Sequence, residues 1–220
     1  MIKLISMKLL KLFTFCLLIS LAMSCNQDGQ THVIIETEYG TMEAVLYNET
    51  PLHRDNFIKL AKEGFYNDLL FHRVIEGFMI QGGDPNSKDA SAGQPLGSGG
   101  PGYRVDAEIG QPHYKGTLAA ARTGAGNPEK KSSGSQFYIV QGRPVSEANL
   151  NNISKARNIT YSPEQIAKYK QVGGTAQLDG EYTVFGEVIS GLDVIDKIAA
   201  VDTDQRDRPL QDVKMQVRLK

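Results

Sequence analysis

Cysteine is nearly absent: the 220 residues hold two, Cys16 and Cys25, and the first falls inside an amino-terminal apolar run. A chain that loses that run keeps a single thiol, which excludes an internal disulfide. Basic excess is missing too. Twenty-four Lys and Arg stand against twenty-five Asp and Glu, and without Lys3, Lys8 and Lys11 the formal charge is −4. No basic stripe is left to meet a phosphate backbone, so nucleic acid is not an expected partner. A membrane span is not the expected reading either, because the run Leu12–Met23 is too short and too abruptly ended beside the ~20 apolar residues a spanning helix needs. The four histidines show no metal-ligand spacing and no obvious acidic or cysteine cluster, so neither a metal nor a cofactor is expected. No internal repeat is visible.

What is present at the amino terminus reads as an address. Three lysines precede Leu12–Met23, which ends in small residues and a cysteine, the pattern of a secretory signal over residues 1–24. Leu21-Ala22-Met23-Ser24-Cys25 resembles the bacterial lipobox, which implies cleavage before Cys25, lipidation of that residue, and a membrane-anchored lipoprotein facing the periplasm or cell surface. Each buried methylene of an acyl chain contributes about 0.8 kcal/mol to such an anchor. An ordinary cleaved signal with a leftover thiol is the competing reading. Residues 25–31 then form a polar tether, and the remaining two hundred or so residues suit one domain with an insertion.

Within that domain, His32 to Tyr47 reads as a hairpin turning at Tyr39-Gly40. Thr50-Pro51 predicts a helix start with threonine as cap; Phe57, Leu60 and Ala61 supply its apolar stripe and Gly64 its end. Lys115–Arg122 and Ser135–Gln141 read as strands. Residues 144 to 175 break this rhythm and are polar and helical, with Ser162-Pro163-Glu164-Gln165 as a capping box and Gly173 as a stop. A strand is expected over Tyr182–Ile189, then a helix from about Leu192 to Ala200 with Leu192, Ile195, Ile198 and Ala199 on its apolar face. Val213, Met215, Val217 and Leu219 alternate with polar residues and predict a closing strand with one buried side. Many short strands with few helices point to a mainly β fold, a closed antiparallel barrel.

The most informative stretch is Phe71–Pro85, FHRVIEGFMIQGGDP. Two short apolar strands meet at a Glu76-Gly77 turn and carry one arginine and one glutamine among large soft side chains. Arg73 is expensive to bury unpaired. An apolar hollow rimmed by a few fixed polar groups is instead what a binding face for a small apolar group requires. The glycine-rich run Gly97–Gly102 lacks the lysine and following helix of a phosphate loop and reads as surface loop.

At Phe71–Asp84, at GTLAAARTG (116–124), at GSQFYIV (134–140) and at LDGEYTVFGEV (178–188) the chain resembles, in order, the cyclophilin-type peptidyl-prolyl cis-trans isomerases. The resemblance covers about residues 33–140 and 177–219. It implies an eight-stranded antiparallel β-barrel capped by two helices, with the site on an outer face, and an isomerase that assists folding of exported polypeptides without cofactor or metal, as a monomer. Residue by residue, it implies Arg73 and Gln81 as catalytic, the latter orienting Arg73 and holding substrate. Phe78, Met79, Tyr138 and Leu178 become the proline pocket, with Ala121, Arg122, Thr123, Gln136 and Tyr182 as further substrate contacts. Strand parity supports Met79 with Gln81 and Gln136 with Tyr138, but not Phe78. Tyr138 departs from the family's usual phenylalanine and brings a hydroxyl that needs a partner. Gln177 stands where many members have a tryptophan that contacts cyclosporin, which implies weak binding of that drug.

Two other readings compete with catalysis: a non-catalytic proline-peptide binding lipoprotein whose helical insertion docks a partner, and a small barrel holding an apolar ligand inside.

Overall fold

Alternation in the first strands sets the inside of the barrel. The computed structural model describes residues 29–220, so Cys25 and the residues read as a signal lie outside the described residues. Strands β1 (Thr31–Thr37) and β2 (Gly40–Leu46) pair antiparallel and send Val33, Ile35, Met42, Ala44 and Leu46 to one buried side. Their two-residue turn is Glu38-Tyr39, one residue earlier than the pattern suggests. Gly40 opens β2 because a helix crosses closely there: a Cβ at this position would come within 2.9 Å of Val194.

Six further strands complete the sheet: β3 (Arg73–Ile75), β4 (Met79–Gly82), β5 (Thr117–Ala120), β6 (Phe137–Val140), β7 (Val184–Ser190) and β8 (Gln216–Leu219). Their order is β3-β4-β6-β5-β7-β2-β1-β8, antiparallel throughout. The outer strands β3 and β8 do not form the closing ladder themselves. The segments leading into them meet instead, through Phe71 N–H to Val213 O (2.9 Å), Met215 N–H to Leu69 O (2.9 Å) and Asp68 N–H to Met215 O (3.0 Å). This is why β8 is shorter than its alternating pattern: Val213 and Met215 are fully buried, yet they belong to the closure and not to the β1–β8 pairing.

Aromatic rings fill the interior. Phe57 stacks on Tyr66 (4.9 Å between centroids) and meets Phe137 edge-on at 5.3 Å, with Phe185 and Phe71 completing the group. A ligand inside the barrel is therefore not the use of this fold: side chains occupy that space.

Helix α1 (Pro51–Lys62) packs on β7 and β8 through Phe57, Leu60 and Ala61. Its start differs from the expectation. The Thr50 hydroxyl makes no capping bond and, though buried, finds no hydrogen-bond partner among the described residues. The cap comes from a distant loop: Glu108 accepts the Leu52 and His53 N–H groups at 3.0 Å each and the His53 ring at 2.7 Å. One carboxylate thus satisfies two orphan donors and sits at the positive end of the helix dipole.

Helices α2 (Glu147–Arg157) and α3 (Pro163–Val172) lie between β6 and β7. Ser162 and Gln165 form the reciprocal capping box, and Gly173 ends α3 at φ +76°. The segment returns to where it departed, because Arg143 and Gly174 exchange backbone bonds at 3.2 and 3.0 Å. Leu150, Tyr169, Tyr114 and Ala176 give it a small core of its own. Helix α4 (Leu192–Ala199) covers β2, β3 and β4. Its buried face is Val194, Ile195, Ile198 and Ala199, whereas Leu192, assigned above to that face, is 41% exposed.

Removing the Glu108 carboxylate (Glu108→Ala) is expected to lower stability by about 1–2 kcal/mol. Thr50→Val should leave it unchanged or raise it, since an unpaired buried hydroxyl is replaced by a methyl. Urea unfolding of the two variants measures the contrast; equal losses would return the cap to Thr50.

Candidate functional site

The outer face of the sheet carries a second, smaller apolar cluster. Ile80, Ile139, Phe137, Leu118 and Ala120 point into the barrel, so their alternates Met79, Tyr138, Val140, Ala119 and Ala121 gather outside, joined by Val184 and flanked by Phe78, Leu178 and Tyr182. Phe78 fails the parity test for a simple reason. It precedes β4 and belongs to the turn, with its N–H on Ile75 O at 3.0 Å, so strand alternation does not govern its direction.

Register brings the polar groups to this cluster. Arg73 faces Gln81 across β3–β4, Gln81 faces Tyr138 across β4–β6, and Tyr138 faces Ala119 across β6–β5. Residues directly opposite in a sheet share a face, so Arg73, Gln81 and Tyr138 form one row. The row borders a pocket of about 130 Å³ lined by Arg73, Phe78, Met79, Gln81, Ala121, Arg122, Tyr138, Leu178 and Tyr182. An enclosed apolar space of about 150 Å³ holds a benzene-sized molecule, so one small ring fits here. Arg73, Gln81 and Arg122 also border a larger, polar hollow of about 480 Å³ with His72, Gln94–Gly97, Arg206 and Arg208. The smaller pocket is the one suited to an apolar group, and the larger offers room for chain beyond it.

Each polar group on the rim is held. Arg73 Nε donates to Asp207 Oδ2 at 3.2 Å, and the Asp207 carbonyl receives the Val74 N–H at 2.7 Å. Asp207 is in turn placed by a loop organised by the Asp204 carboxylate, which accepts the Arg206 and Arg208 N–H groups; those bonds hold its pKa below the usual carboxylate range. Gln81, expected to orient Arg73, stands directly opposite it but makes no hydrogen bond to it among the described residues. Its amide donates to Gln136 Oε1 at 3.1 Å.

Gln136 and Thr123 do not line the pocket. Gln136 is 5% exposed and gives its own N–H groups to the carbonyls of Gly97 (3.0 Å) and Gly99 (2.7 Å), so it supports Gln81 from behind and ties down the glycine-rich loop. That loop holds no phosphate cradle, because its Gly97 and Gly99 amides are committed to the buried Asp84 carboxylate. Thr123 is exposed, its carbonyl bonded to Asn127 at 3.1 Å. Ala121 lines the pocket, but its backbone N–H and C=O are used by Gln136 and Ser133.

Arg122 lies over the Tyr182 ring at 4.6 Å and donates to the Glu181 carboxylate at 2.8 Å. Partial burial pushes the Glu181 carboxyl up, but Lys130, Arg157 and Arg122 leave it below the ordinary range. The Tyr138 hydroxyl meets His113 Nε2 at 3.0 Å, and burial raises its pKa well above that of a free phenol. Asp207, His113 and Glu181 were all missed by sequence reasoning. Among the described residues, no group of three or more His, Cys, Asp or Glu is arranged to hold a metal.

Comparison with known proteins agrees with this architecture. The family model for "Cyclophilin type peptidyl-prolyl cis-trans isomerase/CLD" matches residues 32–218. A Staphylococcus aureus protein that carries the name of a peptidyl-prolyl cis-trans isomerase is 34% identical over 188 residues, 85% of this chain and 90% of that one. A Staphylococcus haemolyticus protein of the same name is 34% identical over 189 residues, 85% and 89% of the two chains. Among solved structures, a Cryptosporidium parvum cyclophilin-type peptidyl-prolyl cis-trans isomerase superposes with a TM-score of 0.63 at 26% identity, covering 87% of this chain and 98% of its own. That protein was also crystallised in the presence of the dipeptide Ala-Pro, and this structure superposes with a TM-score of 0.61 at 25% identity, over 86% and 98% of the chains.

His72, next to Arg73, is buried, and neither ring nitrogen has a hydrogen-bond partner among the described residues. Burial lowers its pKa from 6.5 to about 4. Between those values the unfolded chain binds a proton that the folded chain does not, so stability falls as pH drops from 6.5 to 4, by up to about 3 kcal/mol from this group. Urea unfolding at stepped pH should show a smaller loss over this window in His72→Gln than in the unsubstituted protein; parallel curves would exclude the assignment.

Proposed function

The chain belongs to the cyclophilin-type peptidyl-prolyl cis-trans isomerase family, and from that premise we propose that Arg73 and the pocket beside it carry the reaction on exported polypeptides. The barrier to rotating a peptide bond is about 18–20 kcal/mol because the nitrogen lone pair is shared with the carbonyl. At the twisted geometry this sharing ends, and the prolyl nitrogen becomes pyramidal and able to accept a hydrogen bond. A guanidinium fixed at that place stabilises the twisted form and not the planar one, which lowers the barrier and does not merely tighten binding.

The single observation that carries this reading is the row Arg73–Gln81–Tyr138 beside an apolar hollow sized for one ring. The ring of the substrate proline rests on Phe78, Met79, Tyr138 and Leu178 while the acyl side turns. Among the described residues the hydrogen bond of Arg73 runs from Nε to Asp207, which leaves its terminal nitrogens for the substrate. Gln81, with one N–H on Gln136, retains a carbonyl and a second N–H for the substrate backbone. Arg122 guides the flanking chain. No nucleophile, proton transfer or cofactor enters the reaction.

We also propose that the protein works at a membrane surface, held by a lipidated Cys25, which precedes β1 in the sequence. The support for this lies in the signal-like run and the lipobox pattern.

In an isomerisation assay on an Ala-X-Pro-Phe peptide, Arg73→Ala should lower kcat/KM by about 100-fold or more with a small change in KM. Arg73→Lys should recover little, since lysine lacks the planar fork. A wild-type protein that binds the peptide without accelerating its rotation would leave the non-catalytic binding reading in place. For the anchor, mass spectrometry of the mature protein is expected to find an amino terminus at Cys25 carrying acyl chains; an unmodified terminus elsewhere refutes it.

A further inference from the structure

The hydroxyl that distinguishes Tyr138 from a phenylalanine is turned away from the substrate side and into a buried polar chain. It meets His113 Nε2 at 3.0 Å, and His113 Nδ1 meets Asp179 Oδ1 at 2.8 Å. Asp179 is fully supplied: Oδ1 also accepts the His113 backbone N–H at 2.8 Å, while Oδ2 accepts the hydroxyls of Tyr161 (2.8 Å) and Tyr169 (2.7 Å). His113 and Tyr169 are completely buried and Asp179 is 4% exposed. Burial, reinforced by the Asp179 charge, raises the Tyr161 and Tyr169 pKa values, so both remain donors. The ring of His113 thus bridges the Asp179 carboxylate at Nδ1 and the Tyr138 hydroxyl at Nε2.

Tyr169 lies in α3 and Tyr161 just before it, so the far end of this chain is the helical insertion. A second tie runs beside it. Arg157, the last residue of α2, bonds the Gln177 carbonyl at 2.8 Å and the Glu181 carboxylate at 2.6 Å. Along residues 177–182 the sides divide: Gln177, Asp179 and Glu181 are gripped by the insertion, whereas Leu178 and Tyr182 line the pocket. Tyr182 also meets the Tyr138 and His113 rings edge-on at 6.0 and 6.5 Å.

We propose that His113 and Asp179 are positioning residues through which the α2–α3 insertion fixes the floor (Tyr138) and the wall (Leu178 and Tyr182) of the proline pocket, so that affinity for the proline ring depends on the insertion. The inference rests on the reading of this pocket as the proline site. It gives the insertion a role inside its own chain. A fully satisfied buried network holds side chains in one arrangement and preorganises what they touch. Neither Tyr161 nor Tyr169 lines the pocket.

The test uses Tyr161→Phe/Tyr169→Phe, which keeps both rings and removes both hydroxyls, with Tyr103→Phe as a control outside the network. NMR titration with succinyl-Ala-Ala-Pro-Phe should show Kd, and the assay KM, raised about fivefold, with kcat within about twofold because Arg73 is untouched. In a second cycle, His113→Gln and Tyr138→Phe should each raise KM but not add when combined, since both cut the same bond. Without peptide, the Met79 and Leu178 methyl resonances, which lie near the Tyr138 and Tyr182 rings, should shift in the insertion variant. Unchanged Kd and methyl resonances in a folded insertion variant overturn the proposal, as do additive effects in the second cycle. Shifted methyls in a protein that binds no proline peptide overturn the reading of the site and leave the positioning role standing.

Discussion

The register of β3, β4 and β6 is the constraint on which the rest depends. Successive strands are about 5 Å apart, and the pairings Arg73↔Gln81 and Gln81↔Tyr138 set a guanidinium, an amide and an aromatic ring side by side on the outer face. A slip of one residue in β4 would send Met79 and Gln81 into the barrel and bring Ile80 out. The packed interior, with Ile80 and Ile139 fully buried, forbids that slip. Core packing therefore aligns the site, although no site residue on these three strands contributes to the main core.

Around that row nearly every polar group is bound to another. Asp207 holds Arg73, Gln136 holds Gln81, Glu181 holds Arg122, and His113 holds the Tyr138 hydroxyl. Such bonds cost conformational freedom once, during folding, and not at each catalytic cycle. They explain how a small pocket keeps a defined shape on an exposed surface. The supports come from four separate parts of the chain: the loop before β8, the start of β6, the 177–182 wall and the loop before β5.

Legibility followed the range of the interaction. The β1–β2 hairpin, the stripe of α1 and the capping box of α3 were readable, because each is written in neighbouring residues. The Thr50 cap was misread since its replacement, Glu108, lies 55 residues from His53. Leu192 was placed on the wrong face because short helices allow more than one stripe, and Val194 took the core position. The place of Arg73 among large apolar side chains marked it as part of a binding face, but its catalytic role came only through the resemblance to a family. Its partner Asp207 is 134 residues away and carries no local mark. Gln136, read as a substrate contact, is buried behind Gln81, an outcome that depends on where the Gly97–Gly99 loop crosses.

The sequence by itself determined the class of fold, the sidedness of its strands and the family, because periodicity and short motifs are encoded within a few residues of one another. Tertiary structure alone decided which carboxylate orients which base. It also decided how the barrel closes through the segments before β3 and β8, and that an inserted pair of helices reaches the pocket through Tyr161, Tyr169, Asp179 and His113. Those contacts join residues whose separation along the chain says nothing of their distance in space, and only the closing of the sheet brings them within hydrogen-bonding range.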